Sequence, residues 1–373
     1  MNFIYFDNSA STMLCDAAKT AIETEIENFA NPSSLHKIGF EANVRLDNAR
    51  RSIASTVFAD KSEVFFTSSG SEANNMAIFG SFLAKRRRGN KIIITDSEHP
   101  SVREPVLFLQ RQGMKVVTLS TKNGELDLDE VKKCADESVI FASIMNVNNE
   151  TGAIYEVKKA FDIIKSASPN VITHSDCVQS YLKEEVSFKS LNADLISLSA
   201  HKIHGPKGVG ALCIRKGVKI QPLMYGGGQE AGMRPSTETT MGIVAFASAA
   251  NDFVLHQKEI KGNIKNIKEK LVRDLSKLDF VKLNIPKRAA DNILSISVDF
   301  LKSEVLLHKL SDHGIFVSSG SACSSKKKDN PILYAFGLDK KTADSTLRLS
   351  FGRFNTPIEA DVFINVLKEM VNS

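Results

Sequence analysis

Leu195-Ile196-Ser197-Leu198-Ser199-Ala200-His201-Lys202 is a short apolar run that ends on an amine, and the turn Gly205-Pro206-Lys207-Gly208-Val209-Gly210 follows it. Upstream, Val171-Ile172-Thr173-His174-Ser175 ends in Asp176. Comparable runs recur at residues 64–67, 92–95, 116–119, 139–145, 171–173, 195–198 and 210–214, with helical patterns between most of them. Short continuous stretches of Val, Ile and Phe are how strands read when helices cover both faces of a parallel sheet. The alternation predicts an α/β fold around a mainly parallel, seven-stranded sheet. Ligands of such sheets bind beyond the carboxyl ends of the strands, where Asp176 and Lys202 fall. A pyridoxal phosphate enzyme needs such a pair, an amine to form an imine with the aldehyde and a carboxylate to keep the pyridinium nitrogen protonated. Either residue alone has a plainer reading, a solvated lysine or a helix-capping aspartate.

After about Phe246 the pattern changes. A charged helical stretch covers residues 251–278, and strand-like runs follow at 281–283, 293–298, 315–318 and 347–351. Thr356-Pro357-Ile358-Glu359 combines an N-cap, a first-turn proline and a capping-box glutamate, and Ile358, Val362, Val366 and Met370 keep helical spacing beyond it. We expect a large domain over residues 14–257 and a smaller α+β domain formed by residues 1–13 and 258–373.

At 373 residues, 42% hydrophobic and 24% charged, the chain has the make-up of an ordinary globular protein with a large core. It shows no signal-peptide pattern and no apolar run near the roughly 18 residues a membrane span requires, so a cytoplasmic location is the expectation and no membrane partner is expected. The net charge of +5 is mild for this length. Arg86-Arg87-Arg88 stands where a helix is expected to end and complements its dipole. With no Trp and five Tyr, the chain lacks the broad basic face interleaved with aromatics that nucleic-acid binding calls for. Its five cysteines are widely spaced, odd in number and free of any C-x-x-C spacing, which argues against structural zinc and a disulfide framework, and no resident metal is expected. Cys134 and Cys213 read as small buried apolar groups.

Phe65-Phe66-Thr67-Ser68-Ser69-Gly70-Ser71-Glu72-Ala73-Asn74 reads as a strand, a small-residue turn and a helix start. Ser69 with Glu72 makes a capping box, and the open N–H groups at Gly70 and Ser71 suit a phosphate. His99 follows the strand at 92–95 and reaches the same sheet edge. His99, Asn148, Asp176, Gln179, Ser199, His201 and Lys202 thus converge on one set of strand ends.

These residues carry a resemblance across nearly the whole chain. The sequence resembles the NifS/IscS-type cysteine desulfurases of the class V aminotransferase family. The similar stretches are Asp7 to Thr12, Asn31 to His36, Asn148 to Gly152, His174 to Ser180 and Ser199 to Lys202. They continue with Gly226 to Glu230, Arg234 to Thr237, Ser318 to Cys323 and Arg348 to Arg353.

The resemblance implies a pyridoxal phosphate-dependent transferase of fold type I, similar to aspartate aminotransferase. It implies that Lys202, rather than nearby Lys207, bonds the cofactor aldehyde and that Asp176 partners the ring nitrogen. By the same likeness Gln179 bonds the phenolic oxygen, while His99 stacks on the ring and shuttles protons. Gly70, Ser71, Ser199 and His201 hold the phosphate, with Thr237 reaching across from the second subunit of a homodimer. Asn148 and Arg348 grip the substrate carboxylate. Cys323 attacks the sulfur of L-cysteine, L-alanine leaves, and a persulfide remains on Cys323, which can also serve as a transient iron-sulfur ligand. The sulfur then passes to an acceptor protein, an iron-sulfur scaffold or a tRNA-thiolation enzyme.

Cys323 precedes Lys326-Lys327-Lys328, a run that is plainly solvated, or that lowers the thiol pKa or attracts an acidic acceptor protein. Cys177 and Ser69 depart from the family, which usually has alanine and glycine there; Cys177 reads as a tolerated small residue. Two other readings stay open at this stage. One is another enzyme of the fold, a selenocysteine lyase or an aminotransferase or lyase, and the other is a non-enzymatic sulfur-relay partner.

Overall fold

A computed structural model of the chain describes residues 3–320 and 330–372. After the short β1 (Ile4–Tyr5), seven strands build the main sheet. They are β2 (Val64–Thr67), β3 (Lys91–Thr95), β4 (Lys115–Leu119), β5 (Val139–Ser143), β6 (Ile172–Asp176), β7 (Leu195–Ser199) and β8 (Gly210–Ile214). Their order is β2-β8-β7-β6-β5-β3-β4, and only β8 runs antiparallel to its neighbours. This is the mainly parallel sheet that the apolar runs predict. Ile92, Ile93 and Ile94 are all almost fully buried, which requires cover on both faces. Each such side chain contributes roughly 1.5–3 kcal/mol, several times its strand propensity, so burial decides the placement.

Helices α1 (Asp16–Glu27), α2 (Lys37–Thr56), α3 (Gly70–Lys85) and α4 (Pro100–Arg111) follow in the first third of the chain. α3 crosses the sheet over β7 and β8 and packs beside α4. Arg86, Arg87 and Arg88 lie exposed just past the end of α3.

The charged stretch expected as one helix over residues 251–278 is instead two, Thr240–Leu255 and Gln257–Leu275. The break falls at His256, whose N–H turns back to Asp252 O and Val254 O. Beyond it, β9 (Val281–Leu283), β10 (Ile293–Val298) and β12 (Thr346–Ser350) form an antiparallel sheet in the order β12-β10-β9, while β11 (Ile315–Phe316) pairs in parallel with β1. Asp7 then bridges Ser350, so the N-terminal segment lies along the C-terminal strands. In the last helix, Pro357–Asn372, Glu359 Oε2 accepts the Thr356 N–H at 2.8 Å, the glutamate's half of a capping box, while the Glu359 N–H goes to the Thr356 backbone O at 3.2 Å. Its buried face is Ala360, Phe363, Ile364, Leu367 and Met370, whereas Ile358 and Val362 face solvent.

Candidate active site

Asp176 is the last residue of β6, and Lys202 closes a single 3₁₀ turn directly after β7. β6 and β7 are neighbours in the sheet, so the two functional groups meet at one edge. They line a cavity of about 270 Å³ together with Ser9, Ala10, the turn Ser69-Gly70-Ser71, Asn74, His99, Ser101, Met145, Val147, Asn149, Val178, Gln179, Ser199, His201 and Arg348. That volume lies near the lower bound of small-molecule sites, about 300 Å³, and suits a compact ligand.

Lys202 Nζ donates to Ala10 O at 2.8 Å and to Ser9 O at 2.5 Å, and Gln179 Nε2 reaches the same Ser9 O at 3.0 Å. Lys207, by contrast, is exposed. Both oxygens of Asp176 accept hydrogen bonds, Oδ1 from Val178 N at 2.9 Å and Oδ2 from Asn74 Nδ2 at 2.7 Å.

Ser69 Oγ caps α3 by accepting the Glu72 N–H at 3.1 Å. The Glu72 carboxylate departs from the expected capping box: it takes the N–H of Ser68 and the Arg234 Nε at 2.9 Å. The first N–H groups of a helix have no acceptor within it, which leaves this end suited to an anion. A side chain at Gly70 would place its Cβ 2.6 Å from Val178 Cγ2, so glycine is needed for the turn to close on the loop after β6. His201 Nδ1 lies 3.3 Å from Ser11 Oγ. Burial, with the charges of Lys202, Lys207 and Lys183, pushes its imidazole down to about 3, so the ring is neutral at physiological pH.

His99 caps α4: its Nδ1 accepts the Ser101 N–H at 3.1 Å and lies 2.7 Å from Ser101 Oγ. Burial holds its imidazole below the ordinary histidine range, with Asp176 opposing and Lys202 and Arg103 assisting.

Arg348, on β12, is buried and paired with Asp7 Oδ1 at 2.7 Å and Glu150 Oε1 at 3.2 Å. Burial raises the Glu150 carboxyl, against the pull of Arg348.

Asn148 stands apart from the cavity lining. Its Oδ1 accepts from Glu150 N, Thr151 N and Thr151 Oγ1 within its own turn, and its neighbour Asn149 lines the cavity instead. Thr237 is exposed and also lies outside the cavity. Cys323 and Lys326-Lys327-Lys328 lie outside the described residues. Cys177 is fully buried and its thiol is pushed up to about 12 by desolvation, the setting of an inert packing residue.

Ser9, Asn74, Ser101 and Asn149 were not singled out from the sequence. Asn74 had a legible signal, since it lies four residues past Gly70 and therefore on the same helical face. Ser9 and Ala10 enter only through the return of the N-terminal segment, which no local pattern announces.

The residues present fit pyridoxal phosphate on a structural test. Ser9 Oγ, Asn74 Oδ1, Asn149 Oδ1, Gln179 Oε1, Ser199 Oγ and Arg348 Nε are buried without a hydrogen-bond partner among the described residues, and all six belong to residues lining this cavity. Buried polar atoms without partners are costly, roughly 1–3 kcal/mol each, and their concentration around one cavity indicates a polar ligand. The amine, the carboxylate and the helix N-terminus stand in one cavity for the aldehyde, ring nitrogen and phosphate of that cofactor.

Known proteins agree with this geometry. The cysteine desulfurase IscS of Clostridium botulinum is 38% identical over 375 residues, covering 99% of this chain and 94% of its own. Among solved structures, a NifS-like protein superposes with a TM-score of 0.94 at 34% identity, covering 99% of both chains. SspA in complex with cysteine superposes with a TM-score of 0.83 at 27% identity, covering 95% of this chain and 100% of that one. The model of the aminotransferase class-V family matches residues 4–363. With the lysine, the aspartate and the phosphate turn arranged as such a cofactor requires, and with a match over almost its whole length, the chain belongs to the class-V aminotransferase family.

Proposed function

We infer that this chain is a pyridoxal phosphate-dependent cysteine desulfurase, which removes sulfur from L-cysteine and releases L-alanine. The observation that carries the reading is the ring of six unpartnered buried polar atoms around the cavity that joins Lys202 to Asp176. Full-length relatives named cysteine desulfurase support it.

When bound, the cofactor supplies an electron sink for charge developing at the substrate α-carbon. Lys202 would anchor the cofactor aldehyde, and its amine would serve as the base for the substrate α-proton. Asp176 keeps a proton on the ring nitrogen, and its two accepted hydrogen bonds fix its orientation. Gly70, Ser71, Ser199 and neutral His201 would hold the phosphate, Gln179 would bond the phenolic oxygen, and His99 would stack on the ring; all of them line the cavity. Arg348 receives the substrate carboxylate through its planar fork, with Asn149 beside it in the cavity wall.

The Cys323 thiolate then bonds the substrate sulfur as the bond from sulfur to Cβ breaks. The electron pair of that bond stays on carbon, which gains a proton to become the methyl group of alanine. A persulfide remains on Cys323, and an acceptor protein takes its outer sulfur.

The active form is a homodimer in which Thr237 contacts the phosphate in the partner's cavity. Apolar exposure supports this reading: Phe29 and Tyr225 are 86% and 80% exposed, and Ile26, Leu35, Ile38, Phe40 and Val44 are exposed in the segment spanning α1 and α2. Clusters of this kind mark protein interfaces.

Product analysis tests the activity. Alanine accumulating from cysteine is expected, whereas a keto acid would indicate an aminotransferase.

A further inference from the structure

β2 is the outermost strand of the main sheet, so one of its backbone edges has no neighbouring strand. Two side chains from elsewhere take that place. Arg50, on α2, donates from Nη1 to Val64 O at 2.7 Å, and Glu230 Oε2 accepts the Phe66 N–H at 2.7 Å. The two also bond each other in a fork, Nη1 to Oε2 at 2.7 Å and Nη2 to Oε1 at 2.6 Å. Bidentate pairs of this kind fix direction as well as distance. Glu230 is the one buried residue of the stretch 223–234, in which residues 223–228 are all exposed. It holds a left-handed backbone, φ 47°, and so does exposed Ala231, φ 51°. L-residues rarely adopt that conformation, and it persists where surrounding contacts over-determine it. A second clasp follows at Arg234, whose Nε donates to Glu72 Oε1 at 2.9 Å while Glu72 also takes the Ser68 N–H. β2 leads into the turn Ser69-Gly70-Ser71 and Glu72 lies just past it, so the two clasps grip both sides of the segment assigned to the phosphate.

We propose that Arg50, Glu230, Arg234 and Glu72 are positioning residues that fasten the loop 223–237 to its own phosphate turn, making it a rigid arm that carries Thr237 into the partner's cavity. The proposal deepens the desulfurase reading and rests on it for the phosphate, and on the homodimer for the partner's cavity. Thr237 lies three residues beyond Arg234 and is exposed, outside the cavity of its own chain. A hydroxyl on a loose loop would lose conformational freedom on reaching an anion across the interface, which weakens the bond; one already held by two ion pairs loses little. Neither Arg50 nor Glu230 lines the cavity, so both act through the loop.

The test is cofactor binding by the full-length dimer, measured with pyridoxal phosphate and with pyridoxal, which lacks the phosphate. Arg234→Gln leaves Glu72 bonded to Ser68 and breaks a pair whose side chains are 21% and 22% exposed, so the fold is expected to survive. It is expected to weaken pyridoxal phosphate about tenfold, the order of one hydrogen bond to a charged group, and to leave pyridoxal unchanged. Glu230→Gln is expected to do the same, and adding Thr237→Val to either variant brings no further loss, since the hydroxyl is already displaced. In a mixed dimer, one subunit carries Arg234→Gln and the other Lys202→Ala, so the remaining Lys202 is served by the intact arm. Its affinity, read from the visible absorbance of cofactor at that lysine, is expected to return to the wild-type value. Equal weakening of pyridoxal, or a mixed dimer without that return, overturns the proposal. Failure of the desulfurase reading would appear instead as absent alanine production with the return intact.

Discussion

Arg348 Nη2 donates to Asp7 Oδ1 at 2.7 Å, so an arginine on β12 is aimed by a carboxylate from the first residues of the chain. The N-terminal segment is held against the C-terminal strands by the β1–β11 pairing, the Asp7–Ser350 bridge and buried Phe6, and this brings Asp7 to the arginine proposed to take the substrate carboxylate. Arg348→Lys keeps the charge and loses the fork. Steady-state kinetics are expected to show KM for cysteine rising about 100-fold, roughly 3 kcal/mol, with cofactor absorbance unchanged. An unaltered KM would remove Arg348 from carboxylate binding.

Lys202→Ala is expected to give protein that lacks the visible absorbance of bound cofactor and loses turnover by roughly 10²–10⁴-fold or more. Lys207→Ala, changed at an exposed site only five residues on, stays coloured and active. Absorbance spectra of the two purified variants decide the matter, and a coloured, active Lys202→Ala would end the assignment.

Glu98 stands beside His99 with its side chain enclosed. Oε1 accepts from Thr95 Oγ1 at 2.9 Å and Met145 N at 2.8 Å, while Oε2 has no partner among the described residues. Burial pushes its carboxyl from 4.5 up to about 8, so the folded state holds the proton more tightly than the unfolded chain. The sign follows: its contribution to stability is whole below about pH 4.5 and is lost as pH rises through about 8. Glu98→Gln imitates the protonated form. Denaturant titrations should show the wild type weakening between these limits by more than about 1 kcal/mol relative to the variant, the worth of one pKa unit. Parallel pH profiles would mean that Glu98 is not held protonated.

Phe40 is 65% exposed on α2, among the apolar residues assigned to the subunit interface. Sedimentation of Phe40→Asp is expected to shift the protein toward monomer, with activity falling in step because Thr237 is withdrawn from the neighbouring cavity. A wild-type protein that sediments as an active monomer would contradict the shared site.

Much of this architecture was legible because buried parallel strands leave continuous apolar runs. Residues 92–95, 195–198 and 210–214 each became a strand at the expected place. Asp176 and Lys202 were legible for the same reason, as strand ends fix where their side chains begin. The break at His256 was not, because Gln257 to Leu275 continues the charged helical pattern and nothing in composition marks a change of direction. The cavity wall was also read imperfectly where two similar residues adjoin. Asn148 and Asn149 are equivalent to any pattern, and only the turn that consumes Asn148 Oδ1 separates them. Ser9 and Ser101 were hidden for another reason, since their contacts with the site depend on chain segments meeting in space.

The most direct measurement is mass spectrometry of the peptide carrying Cys323 after the holoenzyme is mixed with L-cysteine. The mechanism predicts the added mass of one sulfur atom on Cys323, formed in step with alanine and absent in Lys202→Ala. An unmodified Cys323 while alanine accumulates would contradict it.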